Sequence, residues 1–212
     1  MTRYQIHHLL VLVFISVLTT ATTHASQAIR LFEGENLDQW VIENDGQFVA
    51  EDGLLKLNGG TGWLRSKDTF DDYTLVVEFR FLEEGANSGI FVRTGPTSND
   101  DGKGWPNDGY QVQCMDTTSG ETPLATLILY GAPPFEQESD LEALERAYRP
   151  TGEWHRFEIT CRGEKLTVKL NDETITRCTG IKKLNGHVGI QGEHGRLEFR
   201  RVTVITFPKR KK

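Results

Sequence analysis

The chain has 212 residues, 37% of them hydrophobic and 25% charged, and a formal net charge of −6. This is ordinary globular composition, long enough for one sizeable core or two small ones. The acidic balance argues against nucleic acid or an anionic membrane surface as a partner.

The first 25 residues differ from the rest. Arg3 precedes the apolar run "LLVLVFISVL" (Leu9 to Leu18), and small residues follow, ending at Ala25. A basic start, a short apolar run and a small-residue exit make a secretory signal peptide. The run is about half of the roughly 20 residues a membrane span needs, so cleavage is expected over an uncleaved anchor. No Cys follows it that would take a lipid. Cleavage after Ala25 removes one Arg and no acid, so the charge moves to −7. The expectation is a secreted or periplasmic protein with no membrane span after processing. One domain covers residues 26–208, and a frayed basic tail, "KRKK", occupies 209–212.

Period-two alternation dominates what remains. "YTLVVEFRF", "SGIFVR", "GYQVQCMD", "HRFEITC", "KLTVKLN", "GHVGIQG" and "RLEFRRVTVITF" each alternate apolar with polar, and glycine-rich turns separate them. Between two of these segments runs the longest loop, Thr94 to Gly109, carrying Asp100, Asp101 and Asp108 around Trp105. Those acids do not follow calcium-loop spacing, so a solvated loop is expected rather than a metal site. Only "SDLEALERAY" reads as a helix. Ser139 and Glu142 form a capping box, Leu141, Leu144 and Tyr148 form a stripe, and Pro150 follows. Many short strands and one short helix predict an all-β sandwich of antiparallel sheets.

Cys114, Cys161 and Cys178 are the three cysteines. If "RFEITC", "KLTVKL" and "ETITRC" form a meander, Cys161 lies opposite Leu166 and Cys178 opposite Lys165. The two then flank the middle strand at roughly 9.5 Å, too far for a disulfide.

Strand parity also proposes a site. In "GYQVQCMD", Tyr110, Val112 and Cys114 share one face, and Gln111 and Gln113 the other. In "GHVGIQGEHG", Val188 and Ile190 face the core, and Gln191 and Glu193 point away. Arg93 lies off the apolar face of its own strand, where Ile90 and Val92 alternate with Phe91. If these strands are neighbours, one sheet face carries Arg93, Gln111, Gln113 and Gln191, with His194 at its rim. Amides both donate and accept, and Arg donates in a fixed fork, which suits sugar hydroxyls. Trp105 and Tyr130 offer rings for a sugar to stack on. An ordinary solvated sheet face fits the same pattern, and a structural ion pair is the other reading of Arg93. No G-x-S-x-G elbow, H-E-x-x-H, paired CxxC or phosphate loop is present.

The ordered series "LFEGENLDQW", "NSGIFVR", "GYQVQCMD", "LYGAPP", "GEWHRFEI", "LND" and "GHVGIQGEHGRLEFRRVTV" resembles the 3-keto-disaccharide hydrolase domain family over nearly the whole mature chain. The resemblance implies a concanavalin-like β-sandwich (jelly roll), export, and cleavage of 3-keto-glycosides. In that reaction the C2 proton of the oxidised sugar is taken, the enolate is held by donors, the leaving group departs and water adds. Carried onto this sequence, Arg93 would hold the enolate and Asn87 and Gln113 would orient hydroxyls, with His194 moving the proton. Two segments depart from the family pattern. An amide, Gln111, stands where Gly-x-Glu-x-Gln is usual, and "TLILY" (Thr126 to Tyr130) replaces Thr-Gly-Ala-Leu-Tyr. An amide cannot titrate, so a base must come from His194 or from a carboxylate such as Glu193 or Asp116 that reaches the same face. No cofactor is implied, and nothing in the sequence supports a divalent metal. The alternative is a non-catalytic carbohydrate-binding or scaffold module that keeps the fold and has lost the base.

Overall fold

The computed structural model describes residues 26–34, 36–99 and 101–208. The expected signal peptide and the basic tail lie outside the described residues. In chain order the strands are β1 (Ala28–Phe32), β2 (Trp40–Glu43), β3 (Phe48–Glu51), β4 (Leu54–Leu57), β5 (Trp63–Ser66), β6 (Tyr73–Phe81), β7 (Asn87–Thr94), β8 (Gly109–Met115), β9 (Leu127–Tyr130) and β10 (Glu136–Ser139). After helix α1 (Leu141–Ala147) come β11 (His155–Arg162), β12 (Lys165–Leu170), β13 (Glu173–Thr179), β14 (His187–Gln191) and β15 (Leu197–Thr206).

These strands make two antiparallel sheets facing each other across one apolar core, an all-β jelly-roll sandwich with one short helix among the described residues. The larger sheet runs β10-β13-β12-β11-β6-β15-β4-β3. β15 is long enough to take β4 against its first half and β1 against its second. The smaller sheet runs β2-β5-β14-β7-β8-β9. Alternation sorts the side chains as period two requires. Leu75, Val77, Phe79, Phe157, Ile159 and Val204 of the larger sheet meet Leu64, Ile90, Val112, Val188 and Ile190 of the smaller one. The outward side of the larger sheet is charged, with Arg80 paired to Glu198 at 2.5 Å and Arg200 to Glu78 at 2.6 Å. Among the described residues no helix is long and apolar enough to cross a membrane.

Two local expectations shift. Ser139 belongs to β10 and hydrogen-bonds Thr176, while Asp140 caps the helix, its Oδ1 accepting from the Ala143 N–H at 2.9 Å. Leu141 is consequently exposed, and Ala143, Leu144 and Ala147 form the buried side. In the meander Cys161 and Cys178 both face Leu166, one residue from the expected register for Cys178. They flank β12, and all three cysteines are free and buried.

His155 sits in the core beside Phe79, ring centroids 5.3 Å apart, and its Nε2 accepts from the Arg149 N–H at 3.1 Å. Burial pushes its pKa down to about 4, against a weaker upward pull from Asp116. The unfolded chain therefore takes a proton near pH 6.5 that the folded chain refuses until about pH 4. The associated stability is complete above pH 6.5 and falls as the pH drops towards 4, by roughly 3 kcal/mol in total. Urea denaturation across that range should show this loss in wild type, and a clearly flatter profile in His155→Phe.

Candidate functional site

The outward side of the smaller sheet is not wet. Trp63, Phe91, Gln111 and Gln191 are all buried there, with Gln113 beside them. Register places them in two rows. Gln191 pairs with Trp63, and Gly89 with Gln113; Phe91 lies between Gly189 and Gln111. The glycines are vacancies that let neighbours lie flat. A Cβ at Gly89 would collide with Gln111, and one at Gly189 with the Trp63 ring. Across the Gly89 gap, Gln111 Nε2 donates to Gln191 Oε1. Trp63 meets Phe91 edge-on at 5.4 Å, Phe91 meets Tyr130 at 5.3 Å, and Tyr130 meets Trp105 at 6.1 Å.

The cover is the long loop between β7 and β8. It folds back on itself, with Asn99 N–H donating to Trp105 O and Asn107 N–H to Thr97 O. Three contacts pin it over the sheet. Gly62 N–H donates to Lys103 O at 2.7 Å, Asn44 Nδ2 to Gly104 O at 2.8 Å, and Trp105 Nε1 to Gly192 O at 3.0 Å. Lys103 then lies over the Trp105 ring, 4.5 Å from its centroid.

Within this enclosure Glu193 is the half-buried acid. Burial raises its pKa above the ordinary carboxylate value, opposed by Lys103, by His194 and by a hydrogen bond from Asn87. Burial, with Glu193 adding to it, pushes the Tyr130 hydroxyl up to about 12, so it stays protonated. Asn87 Oδ1 and Trp63 Nε1 are buried and have no partner among the described residues. A hydroxyl brought against either atom would relieve it, since a buried unmet polar atom costs roughly 1–3 kcal/mol. Gln113 reaches only Met115 Sδ, at 3.8 Å, so its amide is also available to a ligand.

Of the expected residues, the structure brings Asn87, Trp105, Gln111, Gln113, Tyr130, Gln191 and Glu193 together, with His194 exposed at the rim. Its main-chain oxygen accepts from the Asn87 N–H. Arg93 is not with them. It adopts φ +52 at a register shift in the β7–β14 pairing, which turns its side chain off the amide face. There it is fully buried, donating to Asp71 O, Gly163 O, Lys183 O and Asp72 Oδ1. Asp116 is elsewhere too, accepting from Tyr148 Oη at 2.6 Å and Thr151 Oγ1 at 2.7 Å beyond the end of β8. Trp105 and Tyr130 present edges to one another rather than an open stacking platform. Trp63, Phe91 and Lys103 were not anticipated. Trp63 was within reach of parity, because its strand pairs with β14 opposite Gln191. Among the described residues no group of three His, Cys, Asp or Glu side chains is placed to hold a metal.

Residues 27–205 match the family described as the 3-keto-alpha-glucoside-1,2-lyase-like domain. The chain belongs to that family. No curated protein matches it. Among solved structures it is similar to a candidate glycosyl hydrolase from Parabacteroides distasonis, at TM-score 0.63 and 21% identity, covering 85% of this chain and 100% of that one. It is also similar to a galectin-like protein of unknown function from Bacillus subtilis, at 0.55 and 14%, covering 89% and 99%. A Bacillus licheniformis beta-glucanase aligns at 0.51 and 11%, covering 89% and 100%. At these identities the likeness is one of fold, and it confirms the jelly roll. Membership of that family makes this a carbohydrate-active protein.

The Arg93 geometry separates its two readings. Arg93→Met should cost roughly 3–5 kcal/mol in urea denaturation, because it leaves Asp72 and three carbonyls without their donor. Arg93→Lys should rescue only part of that, lacking the fork. A ligand-binding arginine would instead leave stability unchanged and weaken sugar binding.

Proposed function

We propose that this member of the 3-keto-α-glucoside lyase-like family cleaves the glycosidic bond of 3-keto-glycosides, with Glu193 as the base that takes the C2 proton. The carrying observation is that Glu193 is a half-buried carboxyl beside the amide cluster, held above the usual carboxylate range by burial. A base that has to work near neutral pH gains from that shift. The C3 ketone acidifies the C2 hydrogen, and the glycosidic oxygen on C1 is β to it, so proton removal sets up elimination. Water then adds to the resulting enone, giving net hydrolysis. This chemistry does not need the paired carboxylates of ordinary glycosidases.

Asn87, through its unpartnered Oδ1, and Gln113, whose amide reaches only Met115 Sδ, hold hydroxyls. His194, exposed next to Glu193, passes the proton between that carboxyl, the leaving oxygen and solvent. The chain acts outside the cytoplasm, after cleavage behind Ala25. Arg93 is engaged elsewhere, so the enolate oxygen needs a different donor.

Incubation with 3-keto-glucosides and with their unoxidised parents tests the reading. Aglycone should appear only from the oxidised sugars. Glu193→Gln should slow release by roughly 10²–10⁴-fold. In wild type the rate should climb as pH rises through the Glu193 pKa, with the climb displaced above the usual carboxylate range. If no aglycone is released while sugar still binds, the protein is a binding module, a reading that the amide at Gln111 favours. Intact mass of the exported protein should begin at Ser26; retention of Met1 would refute processing there.

A further inference from the structure

One amide on the covered face is held only by a weak acceptor. Gln113 Nε2 donates to Met115 Sδ at 3.8 Å, and its side chain makes no other hydrogen bond among the described residues. Gln113 is 6% exposed, so water does little for the rest of that amide. A primary amide carries two N–H donors and one carbonyl acceptor, and a thioether is a poor partner for either donor. The sulfur thus fixes where the amide points without tying it up. One N–H and the carbonyl have no protein partner at all.

Register places this amide across from Glu193. Asn87 pairs with Met115 and Gly89 with Gln113, so Asn87, Met115 and Gln113 share one side of β7 and β8. On the other flank of β7, the Asn87 N–H donates to His194 O at 2.7 Å, which lays the Glu193–His194 segment beside that strand. Glu193 and the Gln113–Met115 pair therefore flank Asn87, about two strand spacings or roughly 9.5 Å apart at the backbone. That width takes one sugar ring lying over Asn87. We propose that Gln113 is the donor to the C3 oxygen of a bound 3-keto-glycoside and that Met115 positions it, an inference that rests on the 3-keto-glycoside reading above.

The two ends of the amide match an α-hydroxy ketone. A ketone or enolate oxygen only accepts, so it takes the N–H, and the hydroxyl on the adjoining C4 donates to Oε1. An unoxidised parent sugar can meet the same amide through its C3 hydroxyl. Only the oxidised sugar develops charge there, and a hydrogen bond to an ionised oxygen is roughly twice as strong as a neutral one. The gain therefore falls on the transition state rather than on binding.

The electron flow closes on these residues. Glu193 takes the proton from C2, and the C–H pair becomes the C2=C3 bond. The carbonyl π pair moves onto the C3 oxygen, where the Gln113 N–H meets it without giving up its proton. On collapse the C3 carbonyl re-forms, the C2=C3 pair shifts to C1=C2, and the C1–O bond breaks. Its electron pair leaves with the glycosidic oxygen, which receives the proton taken from C2. Gln113 is thus a catalytic residue and Met115 a positioning residue.

The test uses the processed protein, a 3-keto-glucoside with a chromogenic aglycone, and exchange of the C2 hydrogen in D₂O. Gln113→Glu keeps an acceptor for the C4 hydroxyl and removes the donor. It should lower kcat by roughly 10²–10³-fold, the usual loss for one oxyanion donor, with C2 exchange slowed in parallel. Met115→Gln leaves Gln113 in place but offers its N–H a strong acceptor. It should lower kcat about tenfold in the wild-type background and add little to Gln113→Glu. Binding of the unoxidised glucoside to Gln113→Glu should stay within about threefold of wild type; loss of that binding in step with kcat makes Gln113 a ground-state contact and overturns the assignment. A Gln113→Glu protein within about tenfold of an active wild type, or a Met115→Gln protein that matches it, also overturns the assignment and leaves the 3-keto-glycoside reading standing. A wild type that releases no aglycone overturns both.

Discussion

No side chain fits at position 89. Gly89 and Gly189 have ordinary backbone conformations, with neither at positive φ. Space is therefore the constraint rather than torsion. Each glycine lets a large neighbour lie across the sheet where a pleat would normally lift a side chain: Gln111 over one, Trp63 over the other. With those two flat, Gln111 reaches Gln191, and Trp63 presents its edge to Phe91. The aromatic row and the amide row are both consequences of two missing methyl groups.

The flat surface allows the loop between β7 and β8 to seat closely, pinned through Gly62, Asn44 and Gly192. Covering the face changes its electrostatics. A sheet side of this composition would ordinarily be solvated, its amides satisfied by water and its acids unshifted. Enclosed, the same groups must find each other, and Glu193 is pushed towards its neutral form while Tyr130 stays protonated. An acid that gives up its charge readily and a phenol that keeps its proton share one small space.

Much of this was legible from period two alone. Parity placed Gln111, Gln113, Gln191 and Glu193 on one side of a sheet, and the strand neighbours that make it a site follow from the pairing of β14, β7 and β8. Parity failed at Arg93 for a specific reason. Counting by twos assumes every residue is extended, and Arg93 is in the left-handed region where the register against β14 slips. Its fork then gathers the chain segments at Asp71, Gly163 and Lys183, which are far apart in sequence and carry no local signal. Asp116 was misplaced because β8 ends at Met115, after which the chain turns towards Tyr148. The helix cap moved by one residue because Asp140 reaches the Ala143 N–H itself. The loop was expected to be solvated because its composition is polar. What seats it is Trp105, whose indole N–H has one long-range acceptor, Gly192 O, that local pattern does not reveal.

The amide at position 111 then acquires a physical sense beyond the loss of a proton acceptor. Two carboxylates on one enclosed sheet face would titrate as a coupled pair, one driven up and the other down. Replacing one by an amide of nearly the same shape keeps the contact with Gln191 and removes the competing charge. Glu193 is left to ionise against Lys103, His194 and Asn87 alone, all of which favour its charged form while burial opposes it. A lone acid balanced between burial and three stabilising neighbours responds to small changes in its cover. The Lys103–Trp105 contact carries one of those neighbours on the covering loop. The loop therefore acts on Glu193 in two opposed ways, its cover raising the pKa by burial and its Lys103 lowering it by charge.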